Sequence, residues 1–442
     1  MKNNQKIYIE TYGCQMNISD SEIVASILKA DGYGFTEDVK SADIVFINTC
    51  SIRENAEERV RKRLQYFKSL RKKNPALLIC LLGCMADRTT TALLEEEKLL
   101  DLVAGPDSYR HLPQLLAQAG TGRKAIDTIL SVDETYADIT PVRLDSNGVS
   151  AFISIMRGCE NHCSYCVVPS TRGQERSRDV VSIVRETRDL FENGYREVTL
   201  LGQNVNSYTW EEGKGQITFA DLLAQVAGVN PIMRIRFATS HPKDISDELL
   251  HTIANTPNLC KAIHLPVQSG SNHMLDLMNR KYTREDYQER IRAIRRIIPG
   301  CAISTDIIAG FCDETEDDHK DTLSLMEWVE YDAAYMFKYS ERPKTLAADT
   351  LTDNVPEEVK DRRLKEIIDL QQKLSFANNQ KDIGHTFGIL IEGISKKSDN
   401  QYFGRNSQNK VAVFTKTQSG PGDYVNVKIT GATSATLLGE VV

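Results

Sequence analysis

The chain has 442 residues, of which 41% are hydrophobic, with 13 prolines and 26 glycines, a composition that excludes a disordered protein and allows two or three domains. Its longest apolar run, residues 76–86, is shorter than the roughly 18 residues that a membrane helix needs, and no signal-peptide core follows the first residues, so we expect a cytoplasmic protein. The net charge of −7 argues against nucleic acid binding over the whole surface.

The first hundred residues alternate predicted strands and helices. The strands have apolar cores at residues 6–11, 42–49 and 76–83. The helical segments lie near residues 19–31, 53–73 and 88–99. This alternation predicts an open parallel α/β sheet, which we assign to an amino-terminal domain at residues 1–120.

Cys14, Cys50 and Cys84 each follow a predicted strand, in the stretches "TYGC", "INTC" and "LLGC". The ten cysteines of the chain are too few for a disulfide-rich secreted fold, so metal ligands, catalytic groups or core residues are the alternatives. The carboxyl ends of parallel strands meet at one edge of a sheet, where ligands bind. The repeated position therefore favours three thiolates holding a metal cluster, whereas Cys80, inside its strand, is typical of a core residue.

The helix predicted at residues 53–73 is strongly cationic, with nine basic and three acidic residues. Its apolar positions recur at helical spacing: Ala56, Val60, Leu64, Phe67 and Leu70. The basic face is either an ordinary solvated helix face or a surface that attracts nucleic acid.

A polar segment at residues 121–144 predicts a connection between domains. After it, strands are predicted near residues 151, 197, 234, 262, 302 and 334, with helical segments between them. Six β/α units in succession predict a complete or partial parallel barrel at residues 145–377, with its chemistry on the loops after the strands.

The loop after the first barrel strand, "RGCENHCSYC", carries Cys159, Cys163 and Cys166 in the spacing C-x3-C-x2-C. Three thiolates on one short loop suit a four-iron cluster with one iron left open. Zinc is the alternative, with His162 as a fourth ligand, but the spacing differs from the paired C-x2-C of structural zinc modules.

The tail at residues 378–442 changes character. Short strands near residues 387, 410, 423 and 435 are separated by Gly, Asn and Ser, a pattern that predicts a small antiparallel barrel. The tail has seven basic and five acidic residues. Its predicted patch for a phosphate backbone and stacked bases consists of Lys396, Lys397, Arg405 and Lys410 with Tyr402 and Phe403.

The stretches "CENHCSYC", "TYGCQMN", "CSYCVVPSTRGQERSR" and "LPVQSGS" together resemble the radical S-adenosylmethionine methylthiotransferases, and most of all the MiaB-type branch that modifies tRNA. The tail resembles the TRAM module, an RNA-binding barrel. The resemblance covers essentially the whole chain. It implies an α/β fold with an open parallel sheet domain, a central partial (β/α)6 barrel and a small carboxyl-terminal antiparallel β-barrel.

The resemblance also implies the cofactors. Cys159, Cys163 and Cys166 are expected to bind a 4Fe-4S cluster whose open iron chelates S-adenosylmethionine, which yields a 5′-deoxyadenosyl radical on reduction. A second 4Fe-4S cluster, on the three strand-end cysteines, is expected to carry the sulfur. One S-adenosylmethionine methylates the sulfur and another supplies the radical.

Four further residues are predicted to contact S-adenosylmethionine. Tyr165 takes the aromatic position beside the adenine, although an ordinary packed tyrosine fits the sequence equally well. Gln203, Gln268 and Asp306 end later strands and are expected to reach the cofactor.

The implied function is insertion of a methylthio group at carbon 2 of N6-isopentenyladenosine beside the anticodon. The alternatives are methylthiolation of an aspartyl side chain of a ribosomal protein and a non-enzymatic iron-sulfur RNA-binding protein. The expected partners are a tRNA anticodon stem-loop, an electron donor such as flavodoxin or ferredoxin, and a sulfur donor. We expect a cytoplasmic monomer without a membrane partner.

Overall fold

The structure is a computed structural model that describes residues 5–50, 54–86, 99–144, 146–213 and 215–442. It divides into two compact units. The first unit comprises the described parts of residues 1–144, 156–178 and 342–349. The second comprises the described parts of residues 145–155, 179–341 and 350–442.

Six parallel strands form the sheet of the first unit, in the spatial order β2-β1-β3-β4-β5-β6. They are β1 (Lys6–Tyr12), β2 (Gly34–Phe35), β3 (Ile44–Thr49), β4 (Leu78–Gly83), β5 (Leu102–Ala104) and β6 (Ala125–Asp127). Three helices pack with them: α1 (Gln15–Ala30), α2 (Glu54–Arg71) and α3 (Leu112–Gly120).

Both faces of this sheet are buried. Ile44 and Phe46 of β3 pack in one cluster with apolar residues of α1 and α3, while Val45 and Ile47 pack in another with residues of α2. Successive residues of a strand point to opposite faces, so an unbroken apolar run such as that of β3 fits a strand covered on both sides. The three strands predicted from the sequence are confirmed.

Two features of this unit differ from the sequence expectation. The short strands β2, β5 and β6 were not predicted, and β6 lies within the segment expected to connect domains. In the same segment Tyr136 is buried, and its ring stacks on Tyr109 with the centroids 5.8 Å apart. The segment therefore packs as part of the sheet unit. The helix predicted near residues 88–99 falls almost wholly outside the described residues.

The remaining elements of the first unit are short. They include the strand pair β8 (Met156–Arg157) and β9 (Arg176–Ser177), the helix α4 (Val168–Arg172) and most of the helix α11 (Leu346–Thr350).

The second unit contains six parallel strands in two sheets of three, ordered β7-β10-β13 and β14-β15-β16. They are β7 (Ser150–Ser154), β10 (Glu197–Leu201), β13 (Arg234–Ala238), β14 (Ala262–His264), β15 (Ala302–Ala309) and β16 (Ala333–Lys338). All six coincide with predicted strands, which confirms the partial (β/α)6 barrel.

Helices and one hairpin connect and flank these strands. The helices are α5 (Val180–Glu192), α6 (Phe219–Ala227), α7 (Asp247–Asn255), α8 (Asn272–Leu277), α9 (Arg284–Ile297), α10 (Glu316–Val329) and α12 (Glu357–Lys381). The hairpin is β11 (Thr209–Glu212) with β12 (Gly215–Thr218).

The tail forms a closed five-stranded barrel in the order β17-β18-β19-β21-β20. Its strands are β17 (Thr386–Ile394), β18 (Gln401–Arg405), β19 (Val411–Thr415), β20 (Tyr424–Ala432) and β21 (Leu437–Val441). Four of them were predicted and β18 was not. No helix in the described parts of the chain is long and apolar enough to cross a bilayer.

This small barrel packs against the amino-terminal ends of the β/α strands. Arg234 Nη1 and Arg236 Nη2 donate to the backbone oxygens of Arg405 and Asn406, at 2.6 and 2.7 Å. Tyr424 Oη donates to the Ile232 oxygen at 2.9 Å. The tail barrel therefore lies at the end of the strands opposite to the one where such barrels carry their chemistry.

Candidate functional site

Cys14, Cys50 and Cys84 emerge at one edge of the first sheet. The register aligns Tyr12 of β1 with Thr49 of β3, and Thr49 with Gly83 of β4. The three strands therefore end at the same level of the sheet. Cys14 and Cys50 are joined by a hydrogen bond. The structure thus brings together the strand-end cysteines that the sequence singled out.

The surroundings of these thiols lower the pKa of Cys14 and raise that of Cys84. The hydrogen bond with Cys50 outweighs burial and, together with Arg172, lowers the pKa of Cys14 to about 6. Burial raises the pKa of Cys84, and Arg172 opposes this rise. Thiolates are the metal-binding form of cysteine, and a neighbouring cation stabilises them.

A pair of buried asparagines holds Cys14 in place. Asn17 Oδ1 accepts from the Cys14 backbone nitrogen at 3.2 Å and from its Sγ at 3.3 Å. Asn17 Nδ2 donates to Asn48 Oδ1 at 3.2 Å, and Asn48 Nδ2 donates back to the Asn17 backbone oxygen at 2.9 Å. Both side chains are fully buried. We call these two residues the asparagine clasp.

Gly13 and Gly83 leave room for the asparagine clasp. Their φ angles are 135° and 89°, which L side chains rarely adopt. A Cβ at Gly13 would approach Asn17 Oδ1 and Cys50 Cβ to 2.6 Å, and one at Gly83 would collide with Asn48 Oδ1. The glycine before Cys14 and the glycine before Cys84 therefore each allow a turn and leave space for the side-chain amides of Asn17 and Asn48.

Arg172 links the cysteines to a buried network of charges. Its Nε donates to Cys84 Sγ at 3.2 Å, and its Nη2 donates to Asp20 Oδ2 at 2.7 Å. Arg157 Nη2 donates to the other Asp20 oxygen at 2.9 Å. Burial raises the pKa of Asp20, but the two guanidinium groups outweigh this effect and keep it below its ordinary value.

The loop with Cys159, Cys163 and Cys166 forms a compact turn in the same unit. The Cys166 nitrogen donates to the Cys163 oxygen at 3.0 Å. Asn161 Nδ2 lies 3.5 Å from Cys159 Sγ, and the Val168 nitrogen lies 3.5 Å from Cys166 Sγ. Such N–H donors stabilise thiolates and the sulfurs of a bound cluster.

The loop gives no support to the zinc alternative. His162 is exposed, with a φ of 48°. Within the described residues, no three His, Cys, Asp or Glu side chains converge closely enough for a single metal ion. The cysteines of a four-iron cluster need not converge on a single point, because each of them binds an iron at its own corner of the cube.

The four predicted contacts of S-adenosylmethionine have different surroundings. Tyr165 is half-buried in the first unit. In the second unit the Gln268 nitrogen donates to the Asp306 oxygen at 2.9 Å, so the structure brings these two residues together. Gln268 is buried with a φ of 72°, a strained conformation typical of functional sites. Asp306 Oδ1 lies 3.4 Å from His264 Nε2, a neighbour that sequence reasoning missed.

Gln203 belongs to a larger group of polar side chains with buried atoms, which follow the carboxyl ends of β10 and β13. The following atoms of this group lack a hydrogen-bond partner among the described residues: Gln203 Oε1, Asn204 Oδ1, both amide atoms of Asn206, Ser240 Oγ and His241 Nε2. Buried polar atoms are normally paired, so their concentration here favours a polar ligand. The signal was present in "GQNVN" and "TSHP", of which only Gln203 was predicted.

His241 in this group is an uncharged hydrogen-bond donor. Burial, reinforced by Arg280, lowers its pKa to about 2, so the ring is neutral. Its Nδ1 accepts from the Lys243 nitrogen at 3.3 Å, which leaves the proton on Nε2. Acceptors such as Gln203 Oε1 and a donor such as His241 Nε2 together suit a ligand with both kinds of group, as S-adenosylmethionine has.

The two predicted basic surfaces contain paired as well as exposed charges. Arg63 of α2 forms an ion pair with Glu10 and lies over the Tyr66 ring. In the tail, Arg405 pairs with Glu392, and Lys410 Nζ lies 2.8 Å from Asp382. Paired cations release fewer counterions on binding RNA, so these three contribute less than the sequence indicated.

The tail has exposed cations in one turn and a half-buried cation beside an aromatic ring. Lys396 and Lys397 are exposed in the turn between β17 and β18. Lys416 Nζ lies 5.2 Å from the centre of the Tyr402 ring. This part of the barrel keeps the combination of cations and aromatic rings that single-stranded nucleic acids bind.

Three family models match the chain. Residues 6–105 match the uncharacterized protein family UPF0004, residues 153–326 match the radical SAM superfamily, and residues 380–442 match the TRAM domain. The radical SAM match identifies an iron-sulfur cluster and S-adenosylmethionine as cofactors of this enzyme. The three-part architecture inferred from the sequence is thereby confirmed.

Solved structures support the fold. The chain is similar to the radical S-adenosylmethionine methyltransferase TsrM from Kitasatospora setae, with a TM-score of 0.58, 14% identity and coverage of 78% of this chain and 74% of that chain. It is also similar to the cobalamin-dependent S-adenosylmethionine radical enzyme OxsB, with a TM-score of 0.54, 14% identity and coverage of 83% and 56%. At such identities the likeness concerns the fold alone.

Curated relatives match nearly the whole chain. The tRNA-2-methylthio-N6-dimethylallyladenosine synthase of Amoebophilus asiaticus is 59% identical over 99% of this chain and 92% of its own length. The enzymes of the same name from Parabacteroides distasonis and Bacteroides thetaiotaomicron are 58% and 57% identical, each over 99% of this chain and 96% of its own length. The chain belongs to this family of tRNA methylthiotransferases, within the radical S-adenosylmethionine enzymes.

Proposed function

We propose that this enzyme inserts a methylthio group at carbon 2 of N6-isopentenyladenosine next to the anticodon of tRNA. The observation that carries the proposal is the identity of 55–59% to synthases of that name over nearly full length. A TRAM domain at residues 380–442 supports an RNA substrate. No observation favours the ribosomal-protein substrate.

The two sets of cysteines are proposed to hold two 4Fe-4S clusters. Cys159, Cys163 and Cys166 hold the cluster that binds S-adenosylmethionine. The second cluster, which carries the sulfur, binds the edge cysteines described above. When bound, these groups supply a radical that removes hydrogen from an unactivated carbon, and a sulfur to replace it.

Residues of this chain are proposed to bind and orient the cofactor. The acceptor Gln203 Oε1 suits the ammonium group of S-adenosylmethionine, and the neutral His241 donor suits a carboxylate or hydroxyl. Gln268 and Asp306 are proposed contacts at the neighbouring strand ends, with Tyr165 against the adenine. Their role is to hold the sulfonium in one orientation, so that cleavage yields the radical in a defined place.

The other proposals concern partners and organisation. A flavodoxin or ferredoxin supplies electrons, a separate donor replaces the sulfur, and the enzyme acts as a monomer in the cytoplasm on the anticodon stem-loop. The domain boundaries are proposed at residues 1–120, 145–377 and 378–442, with the connecting segment between the first two.

A triple replacement of Cys14, Cys50 and Cys84 by Ala tests the proposal. We expect iron and sulfide to fall by about half, because one of two four-iron clusters is lost. The reduced variant still makes 5′-deoxyadenosine from S-adenosylmethionine, but it yields no methylthiolated nucleoside.

Cys80→Ala is the matched control, because Cys80 is buried within β4. This control loses a small amount of packing, about 1–2 kcal/mol, and keeps all its iron. A triple variant that retains full iron and still methylthiolates tRNA would refute the second cluster. If the product formed on the ribosomal protein but not on the anticodon stem-loop, the proposal that tRNA is the substrate would be refuted.

A further inference from the structure

Arg172 follows the loop that carries Cys159, Cys163 and Cys166, and its side chain contacts the sulfur of Cys84. It is the last residue of α4, which begins two residues after Cys166. Its side chain is 3% exposed, and its Nε donates to Cys84 Sγ at 3.2 Å. A single buried cation therefore connects the loop of Cys159, Cys163 and Cys166 to the edge cysteines.

The orientation of this guanidinium is fixed. Nη2 donates to Asp20 Oδ2 at 2.7 Å, and Asp20 is itself held by Arg157 through its other oxygen. Asp20 is fully buried. Because the guanidinium is planar, two anchored nitrogens also determine where the third one, Nη1, points.

Nη1 of Arg172 is buried and has no acceptor among the residues that the structure describes. Leaving an N–H of a buried cation unpaired is costly, so an acceptor is expected at this position. Anionic sulfur next to Cys84 would satisfy Nη1 and would also complement the positive charge. Protein N–H groups commonly make such hydrogen bonds to the sulfurs of iron-sulfur clusters.

We propose that Arg172 is a positioning residue that donates hydrogen bonds to sulfur atoms at the second cluster and raises the reduction potential of that cluster. The inference rests on the proposed function, which assigns this cluster to Cys14, Cys50 and Cys84. Reduction adds negative charge to a cluster, so hydrogen bonds from a cation stabilise the reduced form more than the oxidised one.

The test uses the full chain with Cys159, Cys163 and Cys166 replaced by Ala, so that only the second cluster gives a signal. In this parent we compare Arg172→Met, Arg172→Gln and Arg157→Met. Methionine is of similar length but has no donor, whereas glutamine keeps a nitrogen at the chain position of Nε. Iron content is measured first, followed by a redox titration with electron paramagnetic resonance.

Arg172→Met is expected to make the cluster harder to reduce. The equilibrium constant for one-electron reduction should fall on the order of tenfold, which corresponds to about 59 mV. Arg172→Gln should recover part of this shift through its amide nitrogen. Arg157→Met is the matched control, because Arg157 also bonds Asp20 but hydrogen-bonds no cysteine among the described residues, and its potential should shift much less than that of Arg172→Met.

Equal shifts in Arg172→Met and Arg157→Met would overturn the inference, because any lost buried charge would then have the same effect. An unshifted Arg172→Met would also overturn it. Loss of iron in Arg172→Met alone, with thermal unfolding like that of Arg157→Met, supports the positioning role, whereas loss in both contradicts it. A parent that binds no iron refutes the second cluster itself, and the inference with it.

Discussion

Replacing Asn17 by Ala should destabilise the first unit more than any exposed change. The substitution removes the acceptor of the part-buried Cys14 nitrogen and the donor to the fully buried Asn48 Oδ1. Each unsatisfied buried group costs about 1–3 kcal/mol, so the free energy of unfolding should fall by about 2–6 kcal/mol. In a unit of 150–250 residues, about 2–4 °C of melting temperature is lost per kcal/mol.

The assay is thermal unfolding of the apoprotein, which removes any contribution from metal binding. Ser21→Ala is the matched control on the same network. Ser21 Oγ accepts from Asn48 Nδ2 at 2.9 Å, but that amide keeps its bond to the Asn17 backbone oxygen when Ser21 is changed. The control should therefore lose only about 1 kcal/mol.

Iron binding gives an independent readout of the same variant. Without the asparagine clasp, the backbone at Cys14 has no side chain to fix it, so the Asn17→Ala protein should take up less iron on reconstitution than the Ser21→Ala protein. The reasoning fails if the two variants unfold at the same temperature and bind the same amount of iron.

Two further predictions concern the tail. Lys396→Glu with Lys397→Glu should weaken tRNA binding and reduce the slope of log affinity against log salt by about 1–2, and an unchanged slope would mean that neither lysine meets a phosphate. Arg236→Met leaves the buried Glu197 carboxylate without its 2.9 Å partner, which should cost about 3–5 kcal/mol and speed hydrogen exchange in β18 and β19. Protection like that of the exposed control Arg292→Met would count against this docking contact.

The sequence located the edge cysteines but not the residues that hold them. Cys14, Cys50 and Cys84 could be found because each follows an apolar strand, which is a local pattern. The bond between Asn17 and Asn48 joins residues 31 positions apart and depends on how β1 and β3 align. A register between strands does not follow from either segment alone, so the stretch "TYGCQMN" does not by itself indicate the role of Asn17.

Element length explains which strands were predicted. Five of the six barrel strands have five or more residues, and the three-residue strand β14 continues into the apolar stretch at residues 265–267, so all six were located correctly. In contrast, β2 has two residues and β5 and β6 have three each. Two or three residues cannot display a period of two, so these strands form because a neighbouring strand offers hydrogen bonds and burial.

Charge patterns in the sequence overestimated the number of unpaired cations for a related reason. Counting cations along α2 and the tail treats every Lys and Arg as available to phosphate. The structure assigns Arg63 to Glu10 and Arg405 to Glu392, partners that lie 53 and 13 positions away. Tertiary ion pairs of this kind are invisible to a local count, so the exposed lysines at the turn between β17 and β18, rather than the net charge of the tail, are the residues to test against tRNA.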